Sequence, residues 1–100
     1  MITEHAILQV KPGQTEAFTA AMREAIPLIS ATPGFRGIDV QPCIETPDRF
    51  LLLVQWETVA DHEQGFRGSD RYLTWKALLH PFYAPFPLVE HYGPSILESP

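Results

Sequence analysis

His62 is the side chain in this sequence best placed to do acid–base chemistry. It stands three residues after Val59 and four before Phe66, spacings that put all three on one helix face and turn the imidazole toward apolar company. Two roles are open: a core-edge residue with one ring nitrogen bonded to a carbonyl, or a general base in a pocket. An imidazole that titrates near about 6.5 is basic and neutral at the right pH for the second. Metal chemistry is less well supplied. HEQGF (62–66) has the first two letters of a zinc-protease helix, but Phe66 stands where the second His is needed. His5, His62, His80 and His91 show no tight spacing, and the lone Cys43 sits in a turn. A facial triad of His62, His91 and one carboxylate is the remaining metal arrangement, and neither metal nor cofactor is expected. His91 is the second candidate base. It alternates with Glu90 and Tyr92 on a closing strand, sharing a face with Val89, and one of the two pairs must face the helices.

Around these residues lie Trp56, Phe66, Tyr72, Trp75, Phe82, Tyr83 and Phe86, five of the seven in the second helix and the loop after it. Flat aromatic walls suit a flat aromatic ligand, and Trp and Tyr add a polar edge. Trp56, Phe66, Tyr72, Trp75 and Tyr83 are accordingly the expected pocket residues. An open pocket reaching solvent favours catalysis; Phe66 and Trp75 meeting across a filled slot favours plain packing.

The elements that must hold them read off in order. ITEHAILQV is a strand, and KPG turns the chain. Phe18, Met22, Ala25 and Ile29 make one helical stripe, which Pro27 should end or kink by removing the bond to the Arg23 carbonyl, at about 3 kcal/mol. Strands are expected at Phe35 to Pro42 and Arg49 to Trp56 around an IETPD turn. Thr58 with Asp61 resembles a capping box and starts a helix that Gly68 and Ser69 divide, with Ser69 available as the second cap. LVEHY is the last strand. The pattern β-α-β-β-α-β is the ferredoxin-like split βαβ fold of the α+β class, with both helices on one face of a four-stranded antiparallel sheet. Phe50, Leu51, Leu52, Leu53 and Val54 do not alternate, so both faces of that strand should be covered, most simply by a second copy of the chain in a homodimer.

The 100 residues, 45% of them hydrophobic, allow one domain over 1–92 and a tail, 93–100, whose Ile96 and Leu97 suit packing on a partner subunit. A net charge of −5, with seven scattered Lys and Arg, makes nucleic acid a poor partner. The longest apolar run is far below the roughly 20 residues that cross a bilayer, so no membrane partner is expected. MITEHAIL lacks the pattern of a signal peptide, and a single Cys forms no internal disulfide, so a cytoplasmic protein is expected.

VKPGQTEAF, PGFRGIDV, DRFLLLVQWET and FRGSDRYLTWKALLHPFYAPFPLVEHY, in this order and spacing, resemble the antibiotic biosynthesis monooxygenase family over about residues 1–92. The resemblance implies a dimeric α/β barrel with a pocket in each subunit between helices and sheet. It implies activities that range from metal- and flavin-free oxidation of polycyclic phenols and quinols to haem degradation, and many members without a known substrate. The haem-degrading branch has an Asn at the position of Ala6 and an axial His near Trp75 or Lys76; neither is present, and many other members carry a His where this chain has Phe66. The Ala6 alignment implies a pocket face made of Glu4 to Val10 and leaves His5 structural, toward the dimer interior.

Two functions follow from these readings. One is a cofactor-independent monooxygenase that takes a small phenol, anthrone or hydroquinone and O2, with His62 or His91 removing a proton and Tyr72 or Trp75 bonding a ring oxygen. The other is a dimeric, non-catalytic small-ligand-binding or interaction domain in which His62 only packs.

Overall fold

The computed structural model describes residues 1–97. It has strands β1 (Ile2–Gln9), β2 (Phe35–Pro42), β3 (Arg49–Trp56) and β4 (Val89–Tyr92) and helices α1 (Thr15–Ser30) and α2 (Asp70–Leu79). The strands form one sheet in the order β2-β3-β1-β4, every pair antiparallel. This is the ferredoxin-like α+β arrangement. No described helix is long and apolar enough to cross a membrane.

Period-2 alternation decides which side of the sheet is dry. Glu4, Ala6, Leu8 and Val10 of the first strand and Phe50, Leu52, Val54 and Trp56 of β3 are buried under the helices. Their neighbours Leu51 and Leu53 are half-buried and Ile7 is exposed on the opposite face, which no described element covers. The apolar run in β3 is thus a buried set interleaved with a set left bare in the single chain.

Helix α1 lays Phe18, Met22, Ala25 and Ile29 on the sheet. Phe18 meets Phe50 at 4.9 Å and Phe82 at 5.8 Å between ring centroids. Of the two outcomes expected at Pro27, an end or a kink, the first is not met, since the helix continues to Ser30. Ala25 and Ile29, buried on either side of Pro27, hold the chain helical against the sheet, and burial outweighs one missing hydrogen bond.

The link from β3 to α2 is where the local structure is unusual. Thr58 and Asp61 cap each other's backbone, each side-chain oxygen accepting the other's N–H at 3.1 Å. A π-helical turn, Asp61–Phe66, follows, closed by the Arg67 N–H donating to the His62 carbonyl at 3.0 Å, five residues back. The wider turn keeps both His62 and Phe66 buried against the sheet. Gly68 follows the turn at a point where a Cβ would strike the Gln64 carbonyl. Ser69 occupies the N-cap position of α2, but its hydroxyl donates back to the Phe66 carbonyl at 2.7 Å instead of capping α2. Gly34, at φ +90°, lies against the same cap: its carbonyl accepts the Glu57 N–H at 2.8 Å, and a Cβ would overlap the Asp61 carboxylate.

Phe18→Ala removes the ring that ties α1 to β3 and the loop before β4. It should cost about 3–5 kcal/mol in urea unfolding; a loss below about 1 kcal/mol would show that this core does not hold the layers together.

Candidate functional site

Four side chains from four elements meet beneath the start of the π turn. Glu4 projects from β1 beside its cross-strand partner His91 of β4, and Trp56 ends β3. The indole Nε1–H of Trp56 donates to Glu4 Oε1 at 2.9 Å, and His62 Nε2 lies 3.3 Å from the same oxygen. His62 Nδ1 is 2.7 Å from His91 Nε2, and His91 Nδ1 is 3.9 Å from Glu63 Oε1 near the surface. Trp56 stacks on His62 with 5.4 Å between centroids and 18° between planes. His62 is 3% exposed and Glu4 5%.

Burial governs the charges here. It pulls the His62 pKa down from 6.5 to about 3, with the Arg67 charge and electrostatic repulsion from His91 adding to the effect. It raises the Glu4 pKa, against the Trp56 hydrogen bond and the Arg67 charge, which lower it. A carboxylate 3.3 Å away would on its own favour imidazolium, yet two groups this deep cannot both be charged cheaply. His62 is therefore neutral at physiological pH. If Glu4 is ionised, His62 Nε2–H donates to it and Nδ1 accepts from His91 Nε2–H; if Glu4 is protonated, the whole chain of protons can reverse.

Beside this cluster is a cavity of about 130 Å³. Its floor is Ala6, Leu8, Leu52 and Val89 of the sheet, and its walls include Tyr72, His80, Tyr83 and Phe86. Arg67 also lines it and makes no ion pair among the described residues. Burial, followed by the nearby Glu4 and Tyr72, pushes the Tyr83 hydroxyl well above the ordinary phenol range, so it stays protonated. His80 is lowered by burial and by the charges of Lys76 and Arg67. Glu4 and His91 sit one pleat along from Ala6 and Val89 of the cavity floor, and none of Glu4, His62 and His91 lines the cavity itself. A larger space of about 460 Å³ lies between α1 and β2, but its polar lining is Thr15, Thr19 and Arg23, with both threonine hydroxyls donating within the protein. Size points to that space and chemistry to the smaller one; convergent titratable groups decide for the smaller.

Residues 1–78 match the family model of antibiotic biosynthesis monooxygenase. The chain is 49% identical over 92 residues to the uncharacterized protein YczJ of Bacillus subtilis (strain 168), covering 92% of this chain and 97% of that one. The chain belongs to the antibiotic biosynthesis monooxygenase family. A Bordetella bronchiseptica protein named for the same family superposes with a TM-score of 0.89 at 35% identity, covering 95% of this chain and 97% of that chain. SnoaB, a cofactor-independent oxygenase from Streptomyces nogalater, has the same fold at a TM-score of 0.83 and 10% identity, covering 96% of this chain and 94% of its own.

Within this family member the expected site residues separate into two groups. His62 and His91 are bonded to one another, and Tyr72 and Tyr83 line the cavity. Trp56, Phe66 and Trp75 lie behind it in the core, with Phe66 and Trp75 edge to face at 5.4 Å. His5 points to the bare face and meets Tyr92 at 5.5 Å. The donors considered for a metal triad run in line instead of converging, and no group of three such side chains among the described residues could hold an ion. Glu4, Arg67 and His80 were not singled out from sequence. Glu4 had a visible signal, a lone carboxylate on the apolar Ala6–Leu8–Val10 face; Arg67 and His80 had none.

The depressed His62 pKa fixes a sign. The fold prefers the neutral ring, so its contribution is complete above pH 6.5 and is lost progressively as pH falls toward about 3. Glu4, raised, works the other way, gaining stability as pH falls through its folded pKa. Between pH 7 and 5 the parent chain should lose about 2 kcal/mol more than His62→Asn, which keeps Glu4. Equal losses in pH-dependent urea unfolding would mean that His62 is not held neutral.

Proposed function

We propose that the protein is a cofactor-independent monooxygenase acting on a single-ring phenol or hydroquinone with O2, bound in the cavity beside the Glu4–His62–His91 cluster. The observation that carries this reading is the adjacency of an aromatic-walled cavity to a buried, hydrogen-bonded carboxylate–histidine cluster. Size selects the substrate. An apolar cavity of roughly 150 Å³ holds one benzene ring, so a space of about 130 Å³ supports a ligand of one ring over a three-ring anthrone or a haem. The cofactor-independent activity named for SnoaB, a protein of the same fold, supports the reaction class.

The chemistry balances without an added reductant. Hydroquinone and O2 give hydroxybenzoquinone and water: one oxygen atom enters a ring C–H bond and the other leaves as water. Oxidation of the hydroquinone to the quinone level supplies the two electrons for that water. The protein's part is to accept the phenolic proton into the cluster that holds His62 and His91 and to oppose the developing negative charge with Arg67 and the Tyr72 hydroxyl.

The assembly proposed is a homodimer whose sheets pack face to face. Its support is the bare face, where Ile7, Leu51, Leu53 and Tyr92 await cover. Light scattering at micromolar concentration should give about twice the 11.3 kDa chain mass; the mass of one chain would remove the dimer. The tail proposed to pack on the partner is described through Leu97, with Ile96 and Leu97 exposed, and its last three residues lie outside the described part.

A second reading, a non-catalytic binding domain, is favoured by one contact. Phe66 and Trp75 close the space between them, leaving the cavity small. Oxygen uptake by the metal-stripped protein separates the two. Substituted hydroquinones should be consumed above the uncatalysed rate and anthrones should not, whereas no uptake with any single-ring substrate would leave the binding-domain reading.

A further inference from the structure

We propose that Glu4 is the group that takes the substrate proton, and that His62 and His91 carry this proton from Glu4 to the surface beside Glu63. The inference deepens the site reading above and rests on it for the identity of the proton donor.

The geometry distinguishes the three candidates for the base. His62 has no free ring nitrogen: Nε2 faces Glu4 Oε1 and Nδ1 faces His91 Nε2. His91 has Nε2 engaged with His62 and turns Nδ1 toward Glu63 and the outside, its side chain being 20% exposed. Glu4 keeps Oε2 free of a hydrogen bond, since both Trp56 and His62 use Oε1, whereas the unbonded Nδ1 of His91 faces away toward Glu63. Glu4 also stands one pleat from Ala6 on the cavity floor, and its charge is felt at the Tyr83 hydroxyl on the cavity wall. A buried carboxylate with a raised pKa is a stronger base than an exposed one, whereas His62, pulled down to about 3, is a weak one.

The transfer can be followed atom by atom. The phenolic O–H breaks, its proton bonds to a Glu4 carboxylate oxygen, and the electron pair stays on the phenolate. His62 and His91, which stood as Nε2–H while Glu4 was ionised, exchange to their Nδ1–H forms through water. Glu4 then gives its proton to His62 Nε2 as His62 Nδ1–H passes its own to His91 Nε2, and His91 Nδ1–H releases one to Glu63 or to water. The 3.9 Å gap at that end is too long for a direct hydrogen bond and suits a bridging water. Afterwards Glu4 is ionised, with His62 Nε2–H donating to it and His91 Nε2–H donating to His62. The hydrogen bonds of the chain are satisfied before and after the transfer, and each further proton needs the same exchange of tautomers. Arg67, lining the cavity, opposes the phenolate left behind.

The test uses 4-nitrophenol, whose phenolate absorbs visibly and whose ionisation needs no oxygen chemistry. One pH unit below its solution pKa, the parent protein should bind the probe largely as phenolate. Glu4→Gln, whose amide oxygen can still accept from Trp56 and His62, should bind it mainly as neutral phenol, with the ionised-to-neutral ratio falling about tenfold or more. His91→Gln should keep the phenolate band but delay release of the proton to a pH dye. Equal phenolate fractions in the parent and Glu4→Gln, or a neutral bound phenol in the parent, would overturn the proposal. A bound phenolate without oxygen uptake from any hydroquinone would leave the proposal standing and remove the oxygenase reading. Failure of the probe to bind would remove the cavity reading and this inference with it.

Discussion

A carboxylate and an imidazole held side by side under an indole set the terms for the rest of this molecule. Neither Glu4 nor His62 could be buried alone without a large desolvation penalty. Together, with Trp56 donating to one and His91 bonded to the other, they form a connected polar unit in an apolar layer. Each neighbouring feature contributes to that unit. The β1–β4 register sets Glu4 opposite His91, β3 ends on Trp56, and the π turn keeps His62 aimed at the sheet while Phe66 seals the core behind it.

The same unit divides the interior into two kinds of space. Between α1 and β2 the lining is apolar apart from Arg23 and two threonines already satisfied, and it holds no histidine, carboxylate or tyrosine. Beside β1 and β4 the smaller cavity touches tyrosines, a histidine and an arginine without an ion-pair partner among the described residues. The larger void is thus chemically quiet. The proposed reaction class rests on membership of a family named for oxygenases, and the proposed one-ring ligand on the volume of this cavity.

Much of the architecture could be read before any coordinates. Alternation and turn residues placed β2 and β3 at the bounds observed, and the Thr58–Asp61 cap is reciprocal as the capping pattern suggested. Pro27 does not end α1 because helix propensity is local, while the stripe from Phe18 to Ile29 is held by tertiary burial. Ser69 misled because its hydroxyl had two carbonyl and amide choices, and the one behind it won. Within the site, helical spacing put His62 and Phe66 on one buried face, though Val59, expected beside them, is exposed. Periodicity divided the first strand into two faces, while only the family resemblance chose the Glu4–Val10 set. The meeting of His62 with that set was not legible, since it depends on the pairing of Glu4 with His91, a contact between the two ends of the chain that no local pattern encodes. Arg67 and His80 reach the cavity through the π turn and the loop after α2, whose paths periodicity does not specify.

The most direct test of the central claim is nitrogen-15 NMR of the histidine rings between pH 5 and 8. The account predicts that His62 keeps one protonated and one bare ring nitrogen throughout, with a scalar coupling across the hydrogen bond to His91. A His62 ring that takes up a second proton near its ordinary pKa of 6.5, with no coupling to His91, would contradict it.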